Sequence, residues 1–279
     1  MTPKLVLEFT KMHGAGNDFV VLDNRFYYFS TEELARIAQL LCPRRTGIGA
    51  DGLLALSMPD DPAHAYRMRY HNADGSVGEM CGNGARCLAR FARAAGVTIE
   101  PLRFETDAGV YEARVPADPS ADVRLLVPAP AGIVPAHSLH DASQDPVFAL
   151  NAGVPHALRF VDDVETVDVN TEGAAIRHDA SFPEGANVDF VEAKADGRLR
   201  VRTYERGVEC ETDACGTGAV AAAVGAALAG VLPAAPRFEV PVDMNGGTLT
   251  VGFTLSDGVP AKVYLDGPAV YVYRGTVEV

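Results

Sequence analysis

The chain has 279 residues, of which 48% are hydrophobic and 22% are charged, so it can bury one large core or two moderate ones, and its composition excludes an intrinsically disordered protein. Its formal net charge of −13 disfavours nucleic acid as a partner, because proteins that bind nucleic acid carry stripes of lysine and arginine for the phosphates, and this sequence has no such stripe. The sequence shows no signal-peptide pattern and no apolar run of membrane length. Its five cysteines are an odd number, which does not suggest a framework of disulfide bonds. We therefore expect a cytoplasmic protein without membrane contact.

The first third of the chain alternates between strand and helix patterns. Three segments predict strands that end in turns: KLVLEFTKM (4–12), DFVVLDN (18–24) and RMRYHNADG (67–75). STEELARIAQLLC (30–42) predicts a helix, because Ser30 and Glu33 have the spacing of a capping box and apolar residues follow at helical intervals. Pro43 predicts the end of that helix.

Two further helices are predicted, and each begins directly after a cysteine. CGNGARCLARF (81–91) and CGTGAVAAAVGAALAG (215–230) both place Cys-Gly-X-Gly before a helical pattern. The second helix consists almost only of Ala, Val, Gly and Leu, which predicts burial on all sides. Residues 106–150, rich in Pro, Ala and Asp, predict strands and turns. A domain boundary near residues 121–123 is one interpretation of that stretch, and Pro-rich hairpin turns are the other.

Three segments in the first part of the chain each resemble a segment in the second part, and the three matches occur in the same order. Residues 14–21 (GAGNDFVV) resemble residues 185–192 (GANVDFVE), and the two cysteine segments resemble each other. An Arg-Phe-Glu triplet then starts 22 residues after Cys81 and 22 residues after Cys215. We therefore predict two structurally similar halves, each a layer of strands wrapped on one hydrophobic helix.

Each Cys-Gly-X-Gly turn combines a thiol with the start of a helix. Glycines let backbone N–H groups approach a ligand, and the first helical turn leaves its N–H groups unpaired at the positive end of the helix dipole. A cysteine at such a position has a lowered pKa. We therefore expect the thiols of Cys81 and Cys215 to exchange protons near neutral pH.

If the two halves face each other, the two thiols flank one small pocket. One thiolate can then take the α-proton from a carbon next to a carboxylate, while the opposite thiol delivers a proton to the other face. Backbone donors in a dry site stabilise the charge that develops on the carboxylate, each by roughly 3 kcal/mol. The pair therefore predicts stereoinversion, whereas either cysteine alone is explained as well by simple packing at a helix start.

The other three cysteines are interpreted as structural. Cys42 ends a helix, and Cys87 lies inside the helix that follows Cys81. Cys210 has neither the spacing nor the partner pair of a zinc site. We predict no metal site.

The sequence is similar to the diaminopimelate epimerase family in six motifs that occur in the family's order: MHGAGNDF, GIGADGLL, NADGS…CGNGAR, GANVDFV, YERG and ACGTGA. The resemblance covers essentially the whole chain, and the two cysteine motifs with YERG distinguish it from proline racemase-like enzymes. It implies an isomerase that needs no cofactor and interconverts LL- and meso-diaminopimelate between two cysteines, in the pathway to lysine and peptidoglycan precursors. It also implies a homodimer.

The resemblance assigns the reacting end of the substrate to the two cysteine turns. It implies that Cys81 and Cys215 are the acid/base pair and that Asn17 lies near the reacting amino group. The reacting carboxylate would be held by four backbone N–H groups: those of Gly82, Asn83, Gly216 and Thr217.

The resemblance assigns the distal end to polar side chains. The distal carboxylate would be bound by three of them: Asn72, Asn187 and Arg206. Glu205 would bind the distal ammonium, and His156 and Glu205 would tune the thiols. These residue types suit the task, because Arg grips carboxylates in a bidentate way and Asn both donates and accepts hydrogen bonds. Each also has a structural alternative, as a turn, a cap or a surface ion pair.

The family resemblance implies an α+β fold of two pseudo-symmetric halves, each a barrel-like β-sheet wrapped around a central hydrophobic helix, with the active site in the cleft between them. Residues 1–122 with 268–279 would form the N-terminal half with Cys81, and residues 123–267 the C-terminal half with Cys215. Two positions depart from the family pattern: Gly52 stands where some members carry Gln, and Val154 where many carry Asn.

Three alternatives remain open from the sequence. The first is a racemase of the same fold that acts on another amino acid. The second is a thiol redox protein, although redox pairs usually have the Cys-X-X-Cys spacing. The third is a non-catalytic amino-acid-binding protein, which the presence of both thiols disfavours.

Overall fold

The computed structural model describes residues 5–135 and 146–279. These residues form two compact units, of which the first comprises the chain up to Leu125 together with Gly267–Val279 and the second lies within Leu126–Asp266. Within these described ranges, no helix is long and apolar enough to cross a membrane.

Strands outnumber helices, which confirms the predicted α+β class. The strands are β1 (Val6–Gly14), β2 (Asn17–Asp23), β3 (Gly52–Ser57), β4 (Tyr66–Asn72), β5 (Val77–Gly78), β6 (Leu102–Thr106), β7 (Gly109–Arg114), β8 (Val123–Leu126), β9 (Ala131–Val134), β10 (Phe148–Asn151), β11 (Pro155–Phe160), β12 (Asn187–Ala193), β13 (Leu199–Glu205), β14 (Cys210–Thr212), β15 (Arg237–Met244), β16 (Gly247–Ser256), β17 (Val259–Gly267) and β18 (Val270–Glu278). The helices are α1 (Asn24–Tyr27), α2 (Thr31–Leu41), α3 (Gly82–Ala94), α4 (Val169–Arg177) and α5 (Gly216–Leu228), with a 3-10 helix at Val164–Thr166.

In the first unit, β1 pairs antiparallel with both β18 and β2, so the C-terminal strand is joined to the N-terminal one. β2 pairs parallel with β3, and the crossover between them contains α1 and α2, because parallel neighbours need a long connection. β3 is antiparallel to β4, which pairs antiparallel with β5 and parallel with β6. β6 and β7 form a hairpin.

The second unit has the same kinds of pairing in the same order. β10 is antiparallel to β9 and β11, and β11 is parallel to β12 across a connection that contains α4. β12 is antiparallel to β13, which pairs antiparallel with β14 and parallel with β15. β15 continues antiparallel to β16, and β16 to β17.

The strand pairings correct one of the three internal sequence matches. Residues 14–21 form the hairpin between β1 and β2, whereas residues 185–192 lead into β12, which follows a parallel crossover. The strand of the first unit with the pairings of β12 is β3. The match was wrong because a glycine turn before a short apolar run suits any buried strand. The cysteine segments and the Arg-Phe-Glu triplets do occupy corresponding elements, at the starts of α3 and α5 and within β6 and β15.

The predicted local elements are confirmed within the described residues. The three strand patterns of the first unit form β1, β2 and β4. The helix after Ser30 is α2, and its capping box is complete, because Ser30 and Glu33 each accept a hydrogen bond from the other's backbone N–H. Residues 106–150 contain short strands and turns, while residues 136–145 of that stretch lie outside the described residues.

Each unit packs strands around one buried helix. α5 contacts β10 to β13, β15 and β16, and residues 218–226 of this helix are all buried, as predicted. A Cβ on Gly225 would lie 2.2 Å from Leu158 Cδ1, so the strands pack against bare helix backbone there. α3 contacts β1 to β4 and β7, but it is less hydrophobic than predicted. Arg86 and Arg90 of α3 are buried, and both donate hydrogen bonds to backbone carbonyl groups.

Glu105 on β6 is expected to stabilise the first unit in a pH-dependent way. Its carboxylate accepts backbone N–H groups of Asp60 and Asp61 at 2.9 and 2.8 Å and lies 2.9 Å from His64 Nδ1. Burial opposes ionisation, but these donors outweigh it and lower the pKa of Glu105 from 4.5 to about 2. The stabilisation is therefore present above pH 4.5 and is lost as the pH falls towards 2.

The variant Glu105→Gln is therefore expected to melt below the parent protein at neutral pH, with a difference that shrinks steadily on acidification. Thermal unfolding between pH 7 and pH 3 measures this. Glu112→Gln, which removes a surface ion pair with Arg103, is the control and should change the melting temperature little. A difference between parent and Glu105→Gln that grows on acidification would contradict the assignment.

Candidate active site

The first cysteine turn places a thiol at the start of α3. Cys81 is the N-cap residue, and its Sγ accepts the backbone N–H of Gly84 at 3.5 Å. Sγ also lies 3.5 Å from Asn17 Oδ1, to which the thiol donates. Helix geometry leaves the N–H groups of Gly82 and Asn83 without partners inside the helix. Asn17, predicted to lie near the reacting amino group, is thus in contact with the thiol.

Asn17 is held in place by a network of charged side chains. Its Nδ2 donates to Asp51 Oδ2 at 2.6 Å, and Arg44 bonds both Asp51 and Asp18, at 2.6 and 2.9 Å. Lys11 Nζ lies 2.6 Å from Asp18 Oδ2. Burial opposes ionisation of Asp18, but the hydrogen bonds from Arg44 and Lys11 outweigh it and lower the pKa of Asp18 to about 2. Two cations and two carboxylates therefore fix the amide beside the thiol.

The side chain of Asn83 points into the protein. It is 3% exposed, and its Oδ1 accepts Arg86 Nη2 at 2.7 Å. The same guanidinium donates to the carbonyl groups of Gly82 and Pro268, each at 3.4 Å. The amide is thereby engaged inside the unit, which leaves the backbone N–H of Asn83 as its means of contacting a ligand.

Asn72 is held by its own strand and turn. Tyr70 donates its hydroxyl to Asn72 Oδ1 at 2.7 Å, and Asn72 Nδ2 donates to Ser76 Oγ at 2.9 Å. The Tyr70 ring occupies the space beside two glycines, because a Cβ on Gly52 or Gly78 would lie 2.7 or 2.2 Å from a ring atom. Position 52 thus has no room for a longer side chain, and a tyrosine hydroxyl reaches Asn72 instead.

The second cysteine turn repeats the geometry of the first. Cys215 is the N-cap residue of α5, and its Sγ accepts the N–H of Gly218 at 3.4 Å. The hydroxyl of Thr217 lies 3.4 Å from the same sulfur. Gly216 and Thr217 form the first turn of the helix, as Gly82 and Asn83 do in α3. Cys215 differs in being buried, whereas Cys81 is half-buried.

Three other residues predicted for the second unit belong to one hydrogen-bonded chain. Arg206 N–H donates to Asn187 Oδ1 at 2.8 Å, and Asn187 Nδ2 lies 3.4 Å from His156 Nε2. His156 Nδ1 lies 2.6 Å from Asp189 Oδ2, and Thr203 donates to Asp189 Oδ1 at 2.7 Å. The structure thus brings three predicted residues into contact and adds two that the sequence argument did not select.

Glu205 projects from the end of the neighbouring strand. It accepts the Thr212 hydroxyl at 2.9 Å. Burial raises the pKa of Glu205, and the charge of Asp189 adds to this, while the hydrogen bond from Thr212 acts in the opposite direction.

The expectation of a lowered thiol pKa is wrong for Cys215. Burial raises its pKa well above the usual value, and the nearby carboxylates of Glu205 and Asp189 raise it further. The hydrogen bonds from Thr217 and Gly218 lower the pKa but do not compensate. A helix start favours a thiolate only where water or cations share the charge, and here desolvation dominates. Cys215 is therefore held in the thiol form within the second unit.

The three remaining cysteines occupy structural positions. Cys42 and Cys87 are buried, and burial raises the pKa of Cys42 to about 11 and that of Cys87 to about 12. Cys210 is exposed at the start of β14.

Several side chains that contact the predicted site residues were not predicted from the sequence. The alternation of side chains along a strand indicates some of them. Asp189 lies two residues after Asn187 on β12, and Thr203 lies two residues before Glu205 on β13, so each pair shares one face of its strand. Asp51 lies within the quoted motif GIGADGLL. The inward orientation of Arg86 has no local signal.

Comparison with known proteins identifies the relatives of the chain. The profile of the family described as "Diaminopimelate epimerase" matches residues 9–127 and 148–272. A diaminopimelate epimerase of Chlorobaculum tepidum is 43% identical over 274 residues, covering 95% of this chain and 99% of that protein. One of Methanocella arvoryzae is 42% identical over 287 aligned residues, covering 98% and 97%.

The fold is shared more widely than the sequence. The crystal structure of the Bacillus anthracis phenazine biosynthesis protein of the PhzF family matches with a TM-score of 0.73 at 16% identity, covering 99% of this chain and 100% of that one. At that identity the likeness shows the fold alone. The family profile and the two full-length relatives go further, and they show that the chain belongs to the diaminopimelate epimerase family.

Proposed function

We propose that the protein is an isomerase that interconverts LL- and meso-diaminopimelate, in the route to lysine and peptidoglycan precursors. The observation that carries the proposal is the pair of equivalent turns, in which Cys81 and Cys215 each cap a helix with the same sulfur-to-N–H contact. The names of the full-length relatives support the substrate.

The proposed mechanism uses the two thiols as an acid and a base on one α-carbon. One sulfur, as thiolate, accepts the α-proton, and the electron pair of the broken C–H bond moves onto the carboxylate. The other sulfur, as thiol, then gives its proton to the opposite face of the carbon. One proton is taken and one is returned, so the substrate is neither oxidised nor reduced, and the charge states of the two sulfurs exchange. The raised pKa of Cys215 suits it to the donor role in the resting protein.

The carboxylate of the reacting centre carries the extra charge of the intermediate. The N–H groups of Gly82, Asn83, Gly216 and Thr217 are the proposed donors, because the first turns of α3 and α5 leave them without partners in the helix. Such donors act on charge as it develops, and removing one typically costs about 3 kcal/mol of transition-state stabilisation.

Recognition of the distal amino acid group is proposed for Asn72, Asn187, Glu205 and Arg206. The backbone N–H of Arg206 donates to Asn187 Oδ1 at 2.8 Å, which places the two residues side by side, and the guanidinium of Arg206 donates to the carbonyl of Glu184 at 3.2 Å. Glu205 supplies a carboxylate for the distal ammonium, and its raised pKa indicates that it gains from a cationic partner. We further propose a cytoplasmic homodimer, which the family resemblance supports.

Incubation in D₂O with pure LL-diaminopimelate tests the function. We expect one deuterium to enter at a single α-carbon of the product as the meso form appears, and the distal α-carbon to stay unlabelled. NMR and mass spectrometry of the product measure this. Release of a keto acid, a requirement for added pyridoxal phosphate, or faster turnover of a monoamino acid such as histidine would contradict the proposal.

A further inference from the structure

Asp189 occupies a fully buried position beneath the turn that carries Cys215. The side chains of Asp189 and His156 are both 0% exposed, and Asp189 Oδ2 lies 2.6 Å from His156 Nδ1. A Cβ placed on Gly218 would lie 2.5 Å from Asp189 Oδ1 and 3.3 Å from Cys215 Sγ. The carboxylate and the sulfur therefore flank the same glycine at the start of α5.

The donor and the acceptor of each hydrogen bond around His156 can be assigned. Arg206 donates its N–H to Asn187, which identifies the atom facing it as the carbonyl oxygen Oδ1. The amide NH₂ of Asn187 must then be the group that faces His156 Nε2 at 3.4 Å. Because an NH₂ group only donates, Nε2 is the acceptor and carries no proton. The ring proton is therefore on Nδ1, where Asp189 accepts it.

A buried carboxylate with two donors is well suited to fix this arrangement. Asp189 accepts from Thr203 at 2.7 Å as well as from His156, so both of its oxygens are engaged. A buried carboxylate is retained only when it is paired and hydrogen-bonded, and a second partner on the far nitrogen commonly sets the tautomer of a functional histidine.

We propose that Asp189 is a positioning residue, which holds His156 in the Nδ1–H tautomer and thereby keeps Nε2, Asn187 and Arg206 aligned beside the turn that carries Cys215. The effect on turnover rests on the function proposed above, whereas the tautomer does not. Thr203 supports Asp189, and neither side chain needs to touch the substrate.

The tautomer is measured directly by NMR of protein labelled with ¹⁵N-histidine. The chain has seven histidines, and the signal of His156 is identified by its loss in His156→Gln. We expect a protonated Nδ1 and an unprotonated Nε2 in the parent protein at pH 7. A protonated Nε2 would overturn the proposal.

The variant for the role in turnover is the double substitution Asp189→Leu with Thr203→Val. It removes Asp189 together with Thr203 and leaves apolar groups of similar shape, so that Nδ1 of His156 is the one group that loses its partner. We expect the His156 signal to lose its Nδ1–H pattern and turnover to fall about 10- to 100-fold, the loss that is typical when the group orienting a metal-bound histidine is removed.

Asp189→Asn is the conservative variant, because its amide oxygen can still accept the Nδ1 proton. It should retain the Nδ1–H tautomer and recover most of the turnover lost in the double variant. Thr248→Val is the matched control, since it deletes a hydroxyl that donates to another carboxylate, that of Asp243, at 2.6 Å. It should leave the His156 signal and turnover unchanged.

The outcomes separate the two proposals. Full turnover in a double variant that has lost the tautomer would overturn the positioning role, as would low turnover in Asp189→Asn with the tautomer intact. An Nδ1–H tautomer in a parent protein that does not turn over diaminopimelate would refute the proposed function and leave the assignment of the tautomer standing.

Discussion

Replacing either Cys81 or Cys215 by serine is expected to lower epimerase turnover by about 10²- to 10⁴-fold, the range over which a positioned acid or base contributes to a rate. In the proposed mechanism, each sulfur accepts a proton in one direction of the reaction and donates a proton in the other. A serine hydroxyl is far less acidic than a thiol, so loss of either sulfur slows both directions. The fold should survive, because serine is a preferred N-cap residue and can accept the N–H of Gly84 or Gly218.

Stopped assays with LL- and with meso-diaminopimelate measure this prediction in both directions. Cys210→Ser is the control, since Cys210 is exposed and lies outside the two turns. Circular dichroism and thermal unfolding show whether each variant is folded. A folded Cys81→Ser or Cys215→Ser protein that keeps more than a tenth of the parent turnover would contradict the two-thiol mechanism.

Adding a methyl group to Gly218 is expected to damage the protein more than adding one to Gly84, although both glycines occupy the third position of their helices. The Cβ of Gly218→Ala would lie 2.5 Å from Oδ1 of Asp189, a carboxylate that is held in place by one hydrogen bond to each of its oxygens. The Cβ of Gly84→Ala would lie 3.0 Å from Leu54 Cδ2, the end of a side chain that can shift.

We expect Gly218→Ala to lower the free energy of unfolding by about 1–3 kcal/mol, the usual cost of overpacking. Displacement of Asp189 and the Cys215 turn should also reduce turnover by up to about 10²-fold, as a shift of about 1 Å can. Gly84→Ala should cost clearly less in both respects. Urea unfolding and steady-state kinetics of the two variants measure the difference, and equal losses in both would show that the carboxylate is not the obstacle.

Features set by near neighbours in the chain were predictable from the sequence. Ser30 and Glu33 predicted the start of α2, because a capping box involves residues three apart. The apolar composition of α5 predicted its burial, and the Cys-Gly-X-Gly spacing predicted thiols at the starts of α3 and α5. These features depend on a few consecutive residues, so the sequence by itself determined them.

Features that depend on strand pairing were decided only by the tertiary structure. The register of β11 and β12 sets His156 opposite Asn187, two residues before Asp189, and the pairing of β12 with β13 sets Thr203 opposite Asp189, although His156 and Thr203 are far apart in the chain. The same pairings showed that residues 185–192 correspond to β3 and not to the hairpin after β1.

The protonation state of Cys215 shows most clearly which properties the sequence determines and which only the tertiary structure decides. Its place at a helix start, which the sequence determined, favours a thiolate through local N–H groups. Its burial beside two carboxylates, which the packing of β12 and β13 against α5 decided, favours the thiol more strongly. Desolvation is a property of all the atoms around the sulfur, so no short stretch of sequence contains it.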